Sequence, residues 1–244
     1  MSPNLPSALQ EYISSYRYKI ELHAHSSPAS PCSELPPKDL IAVLKKEGFD
    51  AAVLTNHFFE GGGYMEKPDP VGAYLEDYYA CREAGEKAGV RILLGAEYRF
   101  HENGNDYLVF GVDEAFLRET VTRFSMTFTE FYEAYHSEKL LILQAHPFRS
   151  GLERAPSDHL DGMETFNMHP HHNSRVALAA HYAREEGLDV VTIGTDLHHH
   201  GHEGLSALRT RVLPEDGASL VSLLRAKDYL FEIGGCPLFP YASF

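Results

Sequence analysis

Residues 18–25 read YKIELHAH, a short β-rich run that ends in two histidines. His23 and His25 stand i, i+2, so an extended chain turns both to the same side. The pattern recurs down the chain. AAVLTNH (51–57) ends in His57, RILLGAEYRF (91–100) in Glu97 and Arg99, LLILQAHPFR (140–149) in His146 and Arg149, and DVVTIGTDLH (189–198) in Asp196 and His198. The run DYLVFG differs, because its polar residue, Asp106, stands at its start.

These runs belong to a series of strand candidates at 18–23, 51–55, 90–98, 106–112, 140–145, 162–166, 189–195 and 229–233, most of them rich in Val, Ile and Leu as in strands buried on both faces. Segments of helical period fill several intervals. The helix expected after Pro36-Pro37 stops at Gly48, and others are expected in 71–89, 128–139, 174–187 and 219–227. Gly61-Gly62-Gly63 reads as a flexible loop. Alternation of this kind predicts an α/β fold of parallel strands with crossover helices, and the strand number favours a closed or nearly closed (β/α) barrel over an open doubly wound sheet. No repeat or linker divides the chain, so a single domain spanning 1–244, with its core at about 18–235, is expected.

The overall composition is that of an ordinary globular chain, 43% hydrophobic and 23% charged. Lys plus Arg number 21 against 35 Asp plus Glu, a net charge of −14, which disfavours long nucleic acid and anionic lipid as partners. Apolar stretches such as 176–180 fall far short of the roughly 18 residues of a membrane span. The start MSPNLPSALQEY lacks a basic-then-apolar leader pattern, so a cytoplasmic protein is expected. Cys32, Cys81 and Cys236 are scattered and form no CxxC pair. The abnormal count is histidine, at 15.

In a parallel barrel the C-terminal strand ends meet at one face, so these scattered residues would converge on one pocket. Imidazole and carboxylate without thiolate suit zinc, manganese or iron(II), and the number of such groups suggests more than one ion. Each element alone has a plainer explanation: a surface or hydrogen-bonded His pair for HxH, a helix cap for Asp196, a salt bridge for Glu97. Their conjunction at one end of the strands is what packing does not explain. His169, His171 and His172 lie where they could touch a substrate or form a solvated loop. His199, His200 and His202 are expected to be exposed or to stand behind the ligands, and His101, His136, His159 and His181 to be ordinary surface or helix residues.

Taken in order, ELHAHSSPASPCSELPPKDLI, VLTNHF, GAEYRF, DYLVFG, LQAHPFR and TIGTDLH resemble the PHP (polymerase and histidinol phosphatase) superfamily, over roughly residues 18–208. The resemblance implies a distorted, TIM-like (β/α)7 barrel and two to three divalent ions (Zn, Mn or Fe) used in phosphoester hydrolysis. It places His23, His25, Glu97 and Asp196 on a first ion, has Glu97 bridge to a second held also by His146, and gives His57 and His198 to a third. Asp106 stands where members commonly have a histidine and can replace it as an oxygen ligand. Members often carry a further ligand after HxH, where this chain reads Ser30-Pro31-Cys32-Ser33, and Pro31 cannot ligate. Asn56 also replaces the usual Asp beside His57. The third ion is thus expected to bind weakly, completed by phosphate, water, Glu34, Glu60 or a loop histidine.

The expected activity is hydrolysis of a small phosphorylated metabolite or nucleotide by a metal-activated bridging water, with Arg99 and Arg149 holding phosphoryl oxygens. His198 or a loop histidine would protonate the leaving group. Three divalent ions against three carboxylates leave the pocket at about +3, which suits an anionic guest despite the acidic chain. The alternatives are a nuclease or exonuclease, an amidohydrolase-type enzyme on the same metals, and a non-catalytic metal-bearing module. The nuclease lacks a Lys/Arg-rich track, and the module would not need an open pocket. The sequence does not address oligomeric state.

Overall fold

The computed structural model describes residues 6–242. Residues 1–5, part of the opening stretch in which no leader pattern is read, lie outside the described residues. Every expected strand is present, some shifted at their ends: β1 (Tyr18–Ala24), β2 (Ala51–Leu54), β4 (Arg91–Arg99), β5 (Asp106–Phe110), β6 (Leu141–Gln144), β7 (Gly162–Asn167), β8 (Val190–Gly194) and β10 (Tyr229–Ile233). Three more were not anticipated: β3 (His57–Phe58), β9 (Ser206–Thr210) and β11 (Cys236–Leu238). The helices are α1 (Ser7–Ser15), α2 (Pro37–Lys46), α3 (Pro70–Ala88), α4 (Glu114–Thr120), α5 (Phe128–Tyr135), α6 (Val176–Glu185) and α7 (Gly217–Ala226).

The strands form one sheet in the order β11-β10-β9-β1-β2-β4-β5-β6-β7-β8, with β3 beside β4. The expectation of uniformly parallel strands needs correction. β5 runs antiparallel to both β4 and β6, and β9 antiparallel to β1 and β10. A chain reversal of only a few residues links β4 to β5, too short for the crossover that parallel pairing requires. The reversal has a useful result. Arg99 at the end of β4 pairs in register with Asp106 at the start of β5, so Asp106 reaches the same rim as the strand ends.

Ile20, Leu22, Val53, Leu93, Phe110, Leu143 and Ile193 share one buried cluster, so side chains from distant strands meet and the sheet must curl around them. At the rim the curl brings β8 back to β1: Ala24 bridges Leu197, with His25 N donating to Leu197 O at 3.0 Å and Leu197 N to His23 O at 2.9 Å. The result is a curled α/β sheet of barrel type. α2 and α3 cover its outside through Leu40, Leu44 and Cys81, while Leu220, Val221 and Leu224 of α7 join the inner cluster.

A register irregularity in β1 between Glu21 and Ala24 decides what the pocket contains. Ile20 and Leu22 face the inner cluster, whereas Ala24 packs outside with Leu54, so the alternation breaks between them and His23 and His25 turn inward. The segment after His57 is also firmer than a flexible loop. Gly63–Glu66 forms a 3-10 turn whose buried Tyr64 hydroxyl accepts from Phe59 N at 2.7 Å.

Candidate metal centre

The chain brings His23, His25, Glu97, His146 and Asp196 together, all nearly inaccessible to solvent. Glu97 is at the middle. Its Oε1 lies 3.3 Å from His23 Nε2 and 3.1 Å from His146 Nε2, and its Oε2 lies 3.5 Å from His25 Nε2 and 2.7 Å from His57 Nδ1. Asp196 Oδ1 stands 3.4 Å from His23 Nε2 and 3.3 Å from His25 Nε2. Ligand atoms of His25, His57 and His198 gather within 4.8 Å of one another, as do those of His57, Glu97 and Asp106.

Hydrogen bonds behind these groups fix which nitrogen faces inward. His23 Nδ1 donates to Glu164 Oε1 at 2.9 Å, and His198 Nδ1 donates to the Asp196 carbonyl at 2.9 Å. Because each acceptor keeps the ring proton on Nδ1, Nε2 is the nitrogen left to face the centre. His25 Nδ1 meets Ser30 Oγ at 3.2 Å, whose own proton goes to Asn56 Oδ1 at 3.0 Å, so His25 is likewise oriented. Asn56 also accepts from Ser26 N at 2.7 Å and donates to Ser26 Oγ at 3.1 Å. It therefore builds the loop after HxH through a donation that an aspartate could not make.

The residues fit divalent cations on two observations. His23 Nε2, His25 Nε2 and His146 Nδ1 are buried without a hydrogen-bond partner, and a buried orphan of this kind costs about 1–3 kcal/mol. His146 and Asp196 moreover hold the left-handed backbone, φ 32° and 56°, at about 1–3 kcal/mol each, strain that clusters at functional sites.

Electrostatics point the same way. Burial opposes charge on His23, yet Asp196, Glu164 and Glu97 hold its imidazole well above the ordinary range. Burial likewise opposes charge on His57, which Glu97 raises, and on His198, which Asp196 and Cys32 lift to about 9. Against the cost of burial, Glu97 and Asp196 are held well below the carboxylate range by these imidazoles. His25 goes the other way, lowered by burial and by its neighbours His198 and His57. Such a set competes for positive charge, which protons or metal ions can supply.

Neither arginine is free. Arg99, 44% exposed, forms a two-pronged pair with Asp106 at 2.7 Å for each bond. Arg149 donates to Asp196 Oδ2 and, at 2.7 Å, to Asn167 Oδ1. Both oxygens of Asp106 thus accept from Arg99, while the carboxyl stays raised by burial and by Glu97. Each oxygen keeps a second lone pair for coordination.

The loop histidines divide. His171, His172 and His200 are exposed, but His169 and His202 are buried, so of the two places expected for His202, exposed or behind the ligands, the exposed one is excluded. The His202 ring lies 4.9 Å from that of His169 and 4.7 Å from that of His171, beside the site. His101 pairs with Glu60 and His136 with Asp161, while His159 and His181 bond locally, none of them in the site. Glu34 is tied to His200 N at 2.7 Å and Glu60 to His101 at 2.7 Å, and neither joins the ligand atoms that gather at His57 and His198.

Sequence reading missed Glu164. It joins His23 to His146 N, which it accepts at 3.0 Å, and to Asn167 Nδ2 at 2.9 Å. Its only signal was a carboxylate inside the strand candidate GMETF.

No helix among the described residues is long and apolar enough to cross a membrane. No curated protein matches the sequence. Among solved structures, a two-domain protein from Bacteroides vulgatus, described as containing a predicted PHP-like metal-dependent phosphoesterase, is similar with TM-score 0.62 and 16% identity over 88% of this chain. This chain spans 64% of that protein's length. PsfC from Pseudomonas syringae gives TM-score 0.60 and 14% identity, with 88% of this chain and 91% of that one covered. An amidohydrolase from Chromobacterium violaceum, with bound sulfate and no metal, gives 0.51 and 15%, over 75% and 89%. At these identities the likeness speaks for the fold. The sequence profile of the PHP domain matches residues 21–229, nearly the whole curled sheet and every residue of the centre, and the chain belongs to the PHP domain family.

Proposed function

We propose that the chain is a metal-dependent phosphoesterase acting on a small phosphorylated substrate. The observation that carries this reading is Glu97, whose two oxygens face different histidines, His23 and His146 on one side and His25 and His57 on the other. A carboxylate so placed can serve two cations at once. His23, His25, Glu97 and Asp196 would hold a first ion, Glu97, His146 and Asp106 a second, and His57 and His198 part of a third. When bound, paired divalent ions acidify a shared water and neutralise phosphoryl oxygens.

The chain's own groups do the remaining work. Glu164 and Ser30 set the tautomers of His23 and His25, so their free nitrogens need no reorientation. Asn167 and Ser174 steady Arg149, with Asn167 Oδ1 taking one bond at 2.7 Å, so this guanidinium is fixed at the edge of Asp196. Arg99 reaches solvent at 44% exposure while paired to Asp106, and so presents its remaining N–H groups where an anion would enter. His198 keeps Nδ1 on a carbonyl, and its other nitrogen can hold either a cation or a proton for the leaving group.

The phosphoesterase description of the Bacteroides relative supports this reading, and the Chromobacterium amidohydrolase supports the use of such a site on a C–N bond. Turnover over a panel of phosphate monoesters, short diesters and amides, with Mn²⁺, Zn²⁺ or Fe²⁺ supplied, separates the two. Phosphate release that chelator abolishes and metal restores is expected. Turnover of amides alone would overturn the proposal in favour of the amidohydrolase reading.

A further inference from the structure

Glu21 is a buried carboxylate that stands outside the ligand set. It is 1% exposed and lies two residues ahead of His23, between Ile20 and Leu22, which face the inner cluster. Its Oε1 accepts two backbone protons, from His23 N at 3.0 Å and from Thr195 N at 2.9 Å. Its Oε2 is buried without a hydrogen-bond partner among the described residues.

These two bonds fall where β1 changes neighbour. Up to Ile20 one edge of β1 pairs with β9, the last pair being Ile20 with Leu208. From His23 onward the chain meets the exit of β8, through Leu197 N to His23 O at 2.9 Å and His25 N to Leu197 O at 3.0 Å. His23 N and Thr195 N, both in residues closed to solvent, lie at the seam between the two pairings, and the Glu21 oxygen takes both in the place of a strand carbonyl. The consequence falls on Asp196. Thr195 N is held by Glu21 and Leu197 by His23 and His25, so the residue between them is pinned on both sides. Its left-handed backbone, φ 56°, persists in a residue with a side chain only where the surroundings over-determine it. So held, Asp196 Oδ1 stands 3.4 Å from His23 Nε2 and 3.3 Å from His25 Nε2.

We propose that Glu21 is a positioning residue, which bridges the seam between β1 and the exit of β8 and so sets Asp196 against His23 and His25. This rests on reading those three, with Glu97, as ligands of one ion. What the seam requires is an oxygen acceptor of this reach. Because Oε2 has no partner, an amide in place of the carboxylate breaks no bond, whereas a shorter acid loses the reach to Thr195 N.

Variants at Glu21, read in two ways, test the assignment. In chelator-stripped protein, hydrogen exchange at the Thr195 amide should quicken about tenfold or more in Glu21→Leu and Glu21→Asp, with the amides of the β1–β9 ladder unchanged. Glu21→Gln should keep the wild-type rate. After loading with Zn²⁺ or Mn²⁺ and dialysis, elemental analysis should find about one ion per chain lost from Glu21→Leu and Glu21→Asp, and a full complement in Glu21→Gln. Wild-type exchange and full metal content in Glu21→Asp, or equal loss of metal from Glu21→Gln and Glu21→Leu, would overturn the assignment. If Glu21→Leu fails to fold by far-ultraviolet circular dichroism, Glu21→Asp and Glu21→Gln decide by themselves. Failure of the wild-type protein to bind metal at all would instead overturn the centre at Glu97, and the Thr195 exchange rates would still judge the bridge.

Discussion

Glu164 accepts the Nδ1 proton of His23 at 2.9 Å and by that bond aims Nε2 between Glu97 and Asp196. The same carboxylate accepts from the backbone N of His146, so one buried residue sets the orientation of two candidate ligands on different strands.

Removing it should loosen metal without unfolding the chain. Glu164→Ala is expected to weaken metal binding about 10–100-fold, the usual loss when a partner behind a ligating histidine is deleted. Competition against a coloured chelator measures this. Unchanged affinity would show that the curl of the sheet alone orients His23.

Glu97→Ala should lose more than one ion per chain, because each of its oxygens faces a separate group of histidines. Elemental analysis after dialysis decides this. Loss of a single ion would place Glu97 on one cation only.

The two arginines should separate in kinetics. Arg99 is half-exposed and paired to Asp106, so Arg99→Ala is expected mainly to raise KM for a phosphate ester. Arg149 is half-buried against Asp196 and Asn167, and Arg149→Ala should lower kcat about tenfold or more, at unchanged metal content. If neither variant affects turnover, substrate anions are held by other groups, with buried His169 the first to substitute.

Gly194 is a point of close approach. A Cβ there would stand 2.5 Å from His23 Cβ and 2.6 Å from Glu164 Oε1. Gly194→Ala should therefore cost about 1–3 kcal/mol, the range for overpacking, and weaken metal binding by breaking the Glu164–His23 bond. Denaturant melts with and without metal test both. A wild-type midpoint in each would mean that β8 yields at no cost.

Stability should depend on pH in opposite senses with and without metal. In chelator-stripped protein His198 sits at about 9, raised by Asp196 against burial, and His23 and His57 are raised too. A folded value above the unfolded one, about 6.5, contributes stability that is complete below pH ~6.5 and is lost as pH rises through the folded value. The stripped protein's Tm should therefore fall from pH 6.5 to 9.5. With metal the trend reverses, since the cation must displace those protons and binds more tightly as they leave. A Tm of stripped protein that rises over this range contradicts the arrangement.

Much was legible in the chain because it is local. Strand runs of Val, Ile and Leu announce themselves, and i, i+2 spacing obliges His23 and His25 to share a side whatever the fold. Their order with His57, Glu97, His146 and Asp196 was enough to point to one pocket and one family. What spacing does not carry is which side that is. The break in alternation between Leu22 and Ala24 turns the histidines inward, and it exists because β1 must pair with β2 while β8 returns to Ala24 through Leu197. The reversal of β5, which delivers Asp106 from the start of its strand, is likewise a pairing decision between segments. Glu164 was invisible for the same reason. It acts on a residue brought near by packing, His23 from 141 residues away, and a hydrogen bond across that separation leaves no periodic trace in the sequence.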